Sequence, residues 1–115
     1  MVNPTQTLAW QSLTAHSQQF KKPEFLLSSL FQEGRFKEFS ASHGDLLLDF
    51  SKHYLTSETF RLLTQLAEEC GLQEAIDAMF AGEKINYTEN RAVLHTALRA
   101  PAADQLSEVS EALAK

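Results

Sequence analysis

Leu55-Thr56-Ser57-Glu58-Thr59-Phe60-Arg61-Leu62-Leu63-Thr64-Gln65-Leu66-Ala67-Glu68-Glu69-Cys70-Gly71 is the stretch whose reading decides the fold. Thr56 is a good N-cap, and Glu58 in the first turn is favoured by the helix dipole. Leu55 before the cap and Phe60 inside the helix have the spacing of a hydrophobic staple. Phe60, Leu63, Leu66 and Ala67 recur at helical period and predict the core face. Gly71 closes the helix, with Leu72 folding back over its last turn. Both ends are marked, so this is the firmest element of a helical chain.

Upstream, Phe36-Lys37-Glu38-Phe39-Ser40-Ala41-Ser42-His43-Gly44-Asp45-Leu46-Leu47-Leu48-Asp49-Phe50-Ser51 reads differently. Two apolar segments flank Ser42-His43-Gly44-Asp45, which has turn chemistry, and predict a β-hairpin. Before it, Pro23 opens a helix through Phe25, Leu26, Leu27, Leu30 and Phe31, ended by Gly34. A first helix runs from Leu8 to Phe20, of mediocre propensity and so dependent on docking. Downstream, Leu72, Ala75, Ile76, Met79 and Phe80 make a short helix ending at Gly82. Asn86, with Glu89 as its reciprocal capping partner, sets up another through Val93, Leu94, Ala97 and Leu98. From about Ala102, Leu106, Val109 and Leu113 give a last helix with no stop signal before Lys115. The expectation is a mainly helical fold of about six helices and one hairpin, as one unit over residues 1–115.

The composition is that of an ordinary globular domain. The 115 residues carry 10 Lys+Arg, 15 Asp+Glu and a net charge of -5, with 43% hydrophobic residues. An acidic balance argues against nucleic acid, whose binders cluster Lys and Arg. No run approaches the ~20 apolar residues of a membrane span. The first residues lack the basic and apolar regions of a signal peptide. The single cysteine, Cys70, allows no internal disulfide, so the expected setting is the cytoplasm.

Candidate chemistry is sparse. Gly82-Glu83-Lys84-Ile85-Asn86 lacks the repeated glycines of a phosphate loop and reads as a helix end followed by a helix start. Arg91, His95 and Arg99, at i, i+4 and i+8, would form a polar stripe about 80° wide on a helix. Such a stripe can hold an anion, but pairing with acids such as Glu83 and Glu89, or packing against another part of a larger protein, is the better explanation, since exposed ion pairs are common. His16, His43 and His53 have no metal-ligand spacing. Asp45 and Asp49 fit a hairpin turn as well as acid/base work. Cys70, at the negative end of a helix dipole and after Glu68 and Glu69, is a disfavoured nucleophile. The residues alone describe no self-sufficient enzyme.

Two stretches carry a resemblance. Ala78-Met79-Phe80-Ala81-Gly82-Glu83-Lys84-Ile85-Asn86-Tyr87-Thr88-Glu89-Asn90-Arg91-Ala92-Val93-Leu94-His95-Thr96-Ala97-Leu98-Arg99 closely resembles the N-terminal signature of the glucose-6-phosphate isomerase family. Arg35-Phe36 through Phe39-Ser40, with Leu46-Leu47-Leu48-Asp49-Phe50-Ser51-Lys52, looks like that family's hairpin. Phe50 stands where Tyr is common, and His53-Tyr54 where Asn is frequent.

The resemblance implies an N-terminal segment of an α/β sugar-isomerase-type enzyme. That parent interconverts glucose 6-phosphate and fructose 6-phosphate through an enediol, without cofactor or required metal, as a cytoplasmic homodimer of glycolysis and gluconeogenesis. Its phosphate loop, glutamate base, enediolate-stabilising arginine and ring-opening residues lie in domains for which no position here matches. The expected catalytic, cofactor-binding and metal residues within these 115 are therefore none. The expected partners are the remainder of the enzyme chain and, in the parent, a second copy; the sugar phosphate is bound by the missing domains. The competing expectation is a free-standing helical interaction module of the same ancestry.

Overall fold

Thr56 caps its helix as the sequence requires, and the cap is reciprocal. The Thr56 hydroxyl accepts the Thr59 N–H at 3.2 Å, and the Thr59 hydroxyl accepts the Thr56 N–H at 3.0 Å. The computed structural model describes residues 2–101 and residue 109, which fall into two compact units, one ending at Cys70 and one beginning at Gly71. The first holds α1 (Leu8–Ser17), α2 (Arg35–Glu38), β1 (Ser40–His43), β2 (Leu46–Asp49) and α3 (Ser57–Glu69). The second holds α4 (Leu72–Phe80). Short 3-10 turns at Pro4–Gln6, Gln18–Lys21, Leu27–Leu30 and Ala97–Arg99 complete the described elements.

Among the described residues there are four α-helices, where about six were expected. The run from Pro23 to Gly34 is not one. Leu26 is extended, and the Ser29 hydroxyl bonds back to its carbonyl at 2.6 Å, so only a 3-10 turn forms at Leu27–Leu30. Gly34, with φ 84°, opens the short α2 instead of closing a helix. The segment from Asn86 to Arg99 is not an α-helix either, for reasons given below. The helix expected from Ala102 lies outside the described residues apart from Val109, which is helical and buried. No helix among the described residues is long and apolar enough to cross a membrane.

The hairpin forms in the expected place. Ser40 pairs with Asp49 and His43 with Leu46, leaving a two-residue turn at Gly44-Asp45. Gly44 has φ 55°, a left-handed value that a primed hairpin turn demands and a side chain resists. Its three leucines, Leu46, Leu47 and Leu48, are 74%, 60% and 63% exposed. A two-stranded ribbon with both faces open is marginal by itself, so its base must be anchored.

Arg35 provides that anchor. It is buried, and its Nε donates to Ser51 O at 2.6 Å. Its Nη2 donates to His53 O at 3.0 Å and Leu55 O at 2.9 Å. The guanidinium lies 4.6 Å from the centre of the buried Phe39 ring. Phe39 meets Phe50 edge to face, and Phe50 stacks on Phe60 at 6.0 Å. One planar fork thus ties α2 to the strand exit and to the start of α3.

α1 lies antiparallel on α3, pinned at both ends. At one end the Ala9 N–H donates to Glu69 Oε2 at 3.0 Å; at the other, His16 Nε2 lies 2.7 Å from Thr59 Oγ1. Ala9 and Leu62 are the buried apolar residues of the two helices. The face of α3 turned inward therefore runs Thr59, Leu62, Leu66 and Glu69. Phe60 and Leu63, expected in the core, are about half exposed. Periodicity alone offered α3 two adjacent apolar stripes, and the partner helix chose between them.

Candidate functional site

The one place where the structure gathers polar groups of the expected stripe is in the second unit. Phe80 ends α4, and the Schellman closure after it fits the sequence: Gly82, at φ 73°, donates to Met79 O at 3.2 Å, and Glu83 N–H donates to Ala78 O at 2.9 Å. The Gly82–Asn86 stretch is thus a helix end, as its residues suggested.

Asn86 then does half of what was expected of it. Its Oδ1 accepts the Glu89 N–H at 3.3 Å and the Thr88 hydroxyl at 2.8 Å, and its amide reaches Glu89 Oε2 at 3.3 Å. The bond from the Glu89 N–H is the one an N-cap makes, but Glu89 reaches the Asn86 side-chain amide while the Asn86 N–H goes to the Arg91 carbonyl, so the reciprocal half of the box is missing and no helix follows. Asn90 turns left-handed at φ 52°, and the chain doubles back so that Asn86 and Arg91 pair as an antiparallel bridge at 3.1 and 3.2 Å. Nucleating a helix is costly, and β-branched Val93 and Thr96 add little propensity. The bridge replaces the first turn.

The polar stripe accordingly is not a stripe. His95 and Arg99 line an open cleft of about 590 Å³ with Phe80, Thr96 and Pro101, while Arg91 sits at the bridge outside it. Arg99 Nη1 donates to the His95 carbonyl at 3.3 Å. Both side chains are exposed. Among the described residues the ion pairs are Asp49–Lys52 and Glu58–Arg61, so Glu83 and Glu89 do not neutralise these arginines. The cleft combines one guanidinium, one imidazole and one phenyl ring, groups that can make weak contact with an anion.

The other candidates serve local structure. Asp49 accepts the Ser51 hydroxyl at 2.6 Å and the Ser51 N–H at 2.9 Å; these bonds, aided by Lys52, hold its carboxyl below the ordinary range. It is a turn cap kept ionised. Asp45 sits in the hairpin turn and His43 at the end of β1. His53 Nδ1 lies 3.3 Å from Phe50 O. Cys70 is a half-buried free thiol at the end of α3. The described residues contain no group of three His, Cys, Asp or Glu able to hold a metal ion.

Thr59 and His16 come nearest to a nucleophile beside a base. Yet Thr59 Oγ1 is already engaged by Thr56, at 3.0 Å from both its N–H and its hydroxyl. The Gln19 amide, 3.0 Å from each His16 nitrogen, replaces the carboxylate that would orient such a base. This is a capping network. Sequence reasoning missed it, along with the Arg35 fork and the Glu69 contact, because each joins residues far apart in the chain. Only Arg35 carried a local signal, as a long cation just after a glycine.

What these residues define is a helical scaffold with a shallow basic cleft, built around caps and anchors. The phosphoglucose isomerase family model matches residues 49–113, more than half of the chain, and the chain belongs to that family. The match begins within β2 and takes in α3, α4 and the cleft.

Proposed function

We infer that this chain is the N-terminal segment of a glucose-6-phosphate isomerase, the enzyme that interconverts glucose 6-phosphate and fructose 6-phosphate through an enediol. The observation that carries the reading is the family match over residues 49–113. It is supported by the hairpin and the Ala78–Arg99 signature, which stand in the family's order. The catalytic α/β domains of the sugar-isomerase type belong to sequence outside these 115 residues. The chain's partners are that remainder and, through it, a second copy in a cytoplasmic homodimer of glycolysis and gluconeogenesis.

By itself the chain is inactive in this reading. The described residues offer no base beside a free substrate position and no donor set aimed at a developing enediolate. The test is a coupled assay in which glucose 6-phosphate formed from fructose 6-phosphate is oxidised and followed by absorbance. Residues 1–115 give the buffer rate; turnover above it overturns the reading. A reading frame that continues past Lys115 into an α/β domain supports the segment. A stop codon there supports the free-standing helical module instead.

A further inference from the structure

We propose that residues 86–99 are a two-state segment: the doubled-back turn described above, and an α-helix started from the same Asn86 cap. The bond from the Glu89 N–H to Asn86 Oδ1 is the one a helix N-cap makes, and it is already in place at 3.3 Å. Beyond them Val93, Leu94, Ala97 and Leu98 keep helical spacing, and no Gly or Pro interrupts the run before Pro101. What diverts the chain is local. Asn90 occupies the left-handed region at φ 52°, which Asn tolerates better than other side-chain-bearing residues, and the Thr88 hydroxyl adds a bond to Asn86 Oδ1. The Asn86–Arg91 bridge supplies two backbone bonds in place of the first helical ones.

The two states present different surfaces. In the turn, His95 and Arg99 line the cleft beside Phe80 and Arg91 stands apart. In the helix, Arg91, His95 and Arg99 fall on one stripe, with Val93 and Ala97 on the opposite side and Leu94 and Leu98 between them and the stripe's Arg91 edge. Whether the three basic groups act together is therefore decided by the backbone at Asn90.

The experiment is backbone NMR on the full 115-residue chain, reading the ¹³Cα shifts of Tyr87–Arg99. Asn90→Ala penalises the left-handed turn and favours the helix, so it raises the helix-to-turn ratio about tenfold. Asn90→Gly relieves the turn and disfavours the helix, moving the shifts the opposite way. Thr88→Glu leaves Asn90 intact, removes the Thr88 bond and adds a charge favoured in a helix's first turn, so it too moves the shifts toward helix. If Asn90→Ala disrupts the unit, Thr88→Glu and Asn90→Gly still decide. Unchanged shifts, or movement of Asn90→Ala and Asn90→Gly in the same direction, would refute the two-state segment.

Discussion

Replacing Arg35 by Met removes the fork while keeping an apolar stem in place, and its cost can be worked from three carbonyls. A hydrogen bond to a charged group contributes ~1.5–3 kcal/mol, and a buried acceptor left alone loses most of that. Ser51 is buried and Leu55 half-buried, so their carbonyls stay poorly solvated once the guanidinium is gone. His53 is exposed, and water replaces its donor at little loss. Two full losses near the lower end of that range give about 3 kcal/mol. Loss of the cation over Phe39 adds ~0.5–1 kcal/mol. Arg35→Lys keeps a charge but not the planar fork, so it recovers about half. The chain's one tryptophan, Trp10, lies on α1 in the same unit, so its fluorescence through a urea titration follows the relevant transition. At ~4–8 °C per kcal/mol, the Met variant also melts well over 10 °C lower. A Met variant within about 0.5 kcal/mol of the parent, the ordinary range for surface substitutions, or a Lys variant equal to it, sinks the account.

Two further expectations follow from the same anchors. The Ala9 N–H, then the Gln65 amide, hold the Glu69 carboxyl below its ordinary value of 4.5, so the folded state resists protonation more than the unfolded chain does. This contribution is complete above the ordinary value and is lost as pH falls through the lowered one. Acid should loosen α1 from α3, and Glu69→Gln should flatten that part of the pH dependence of Trp10 unfolding; an unaltered profile removes Glu69 from the account. Gly44→Ala meets no atom within 4 Å and costs only its left-handed φ, ~1–2 kcal/mol, in urea unfolding of the same unit. A neutral result there means that the turn relaxes to another type.

The elements that the sequence announced correctly are those whose signals are local. The Thr56 cap, the Gly44-Asp45 turn and the Gly82 closure each involve residues within a few positions of one another, and each appears where expected. The failures lie where two local solutions compete. Asn86 caps a helix and an Asx turn with the same oxygen, and the left-handed tolerance of Asn90 tips the balance toward the turn. Ser29 similarly turns its hydroxyl onto the backbone, and a run whose leucines looked adequate for a helix makes only a 3-10 turn. The inward face of α3 was out of reach for another reason. Phe60 and Leu63 are as apolar as Leu62, and only the position of α1 distinguishes them. The basic stripe inherited the error of the helix it was drawn on.

One hydroxyl, that of Thr59, closes the cap of α3 and receives the imidazole of α1 across 43 residues of sequence. The first turn of α3 and the docking of α1 against it are thus not independent of one another in the folded chain. The cap fixes the rotamer that His16 needs, and His16 in turn holds the cap against fraying. Removing the Thr59 hydroxyl would therefore take away a helix cap and a tertiary contact together.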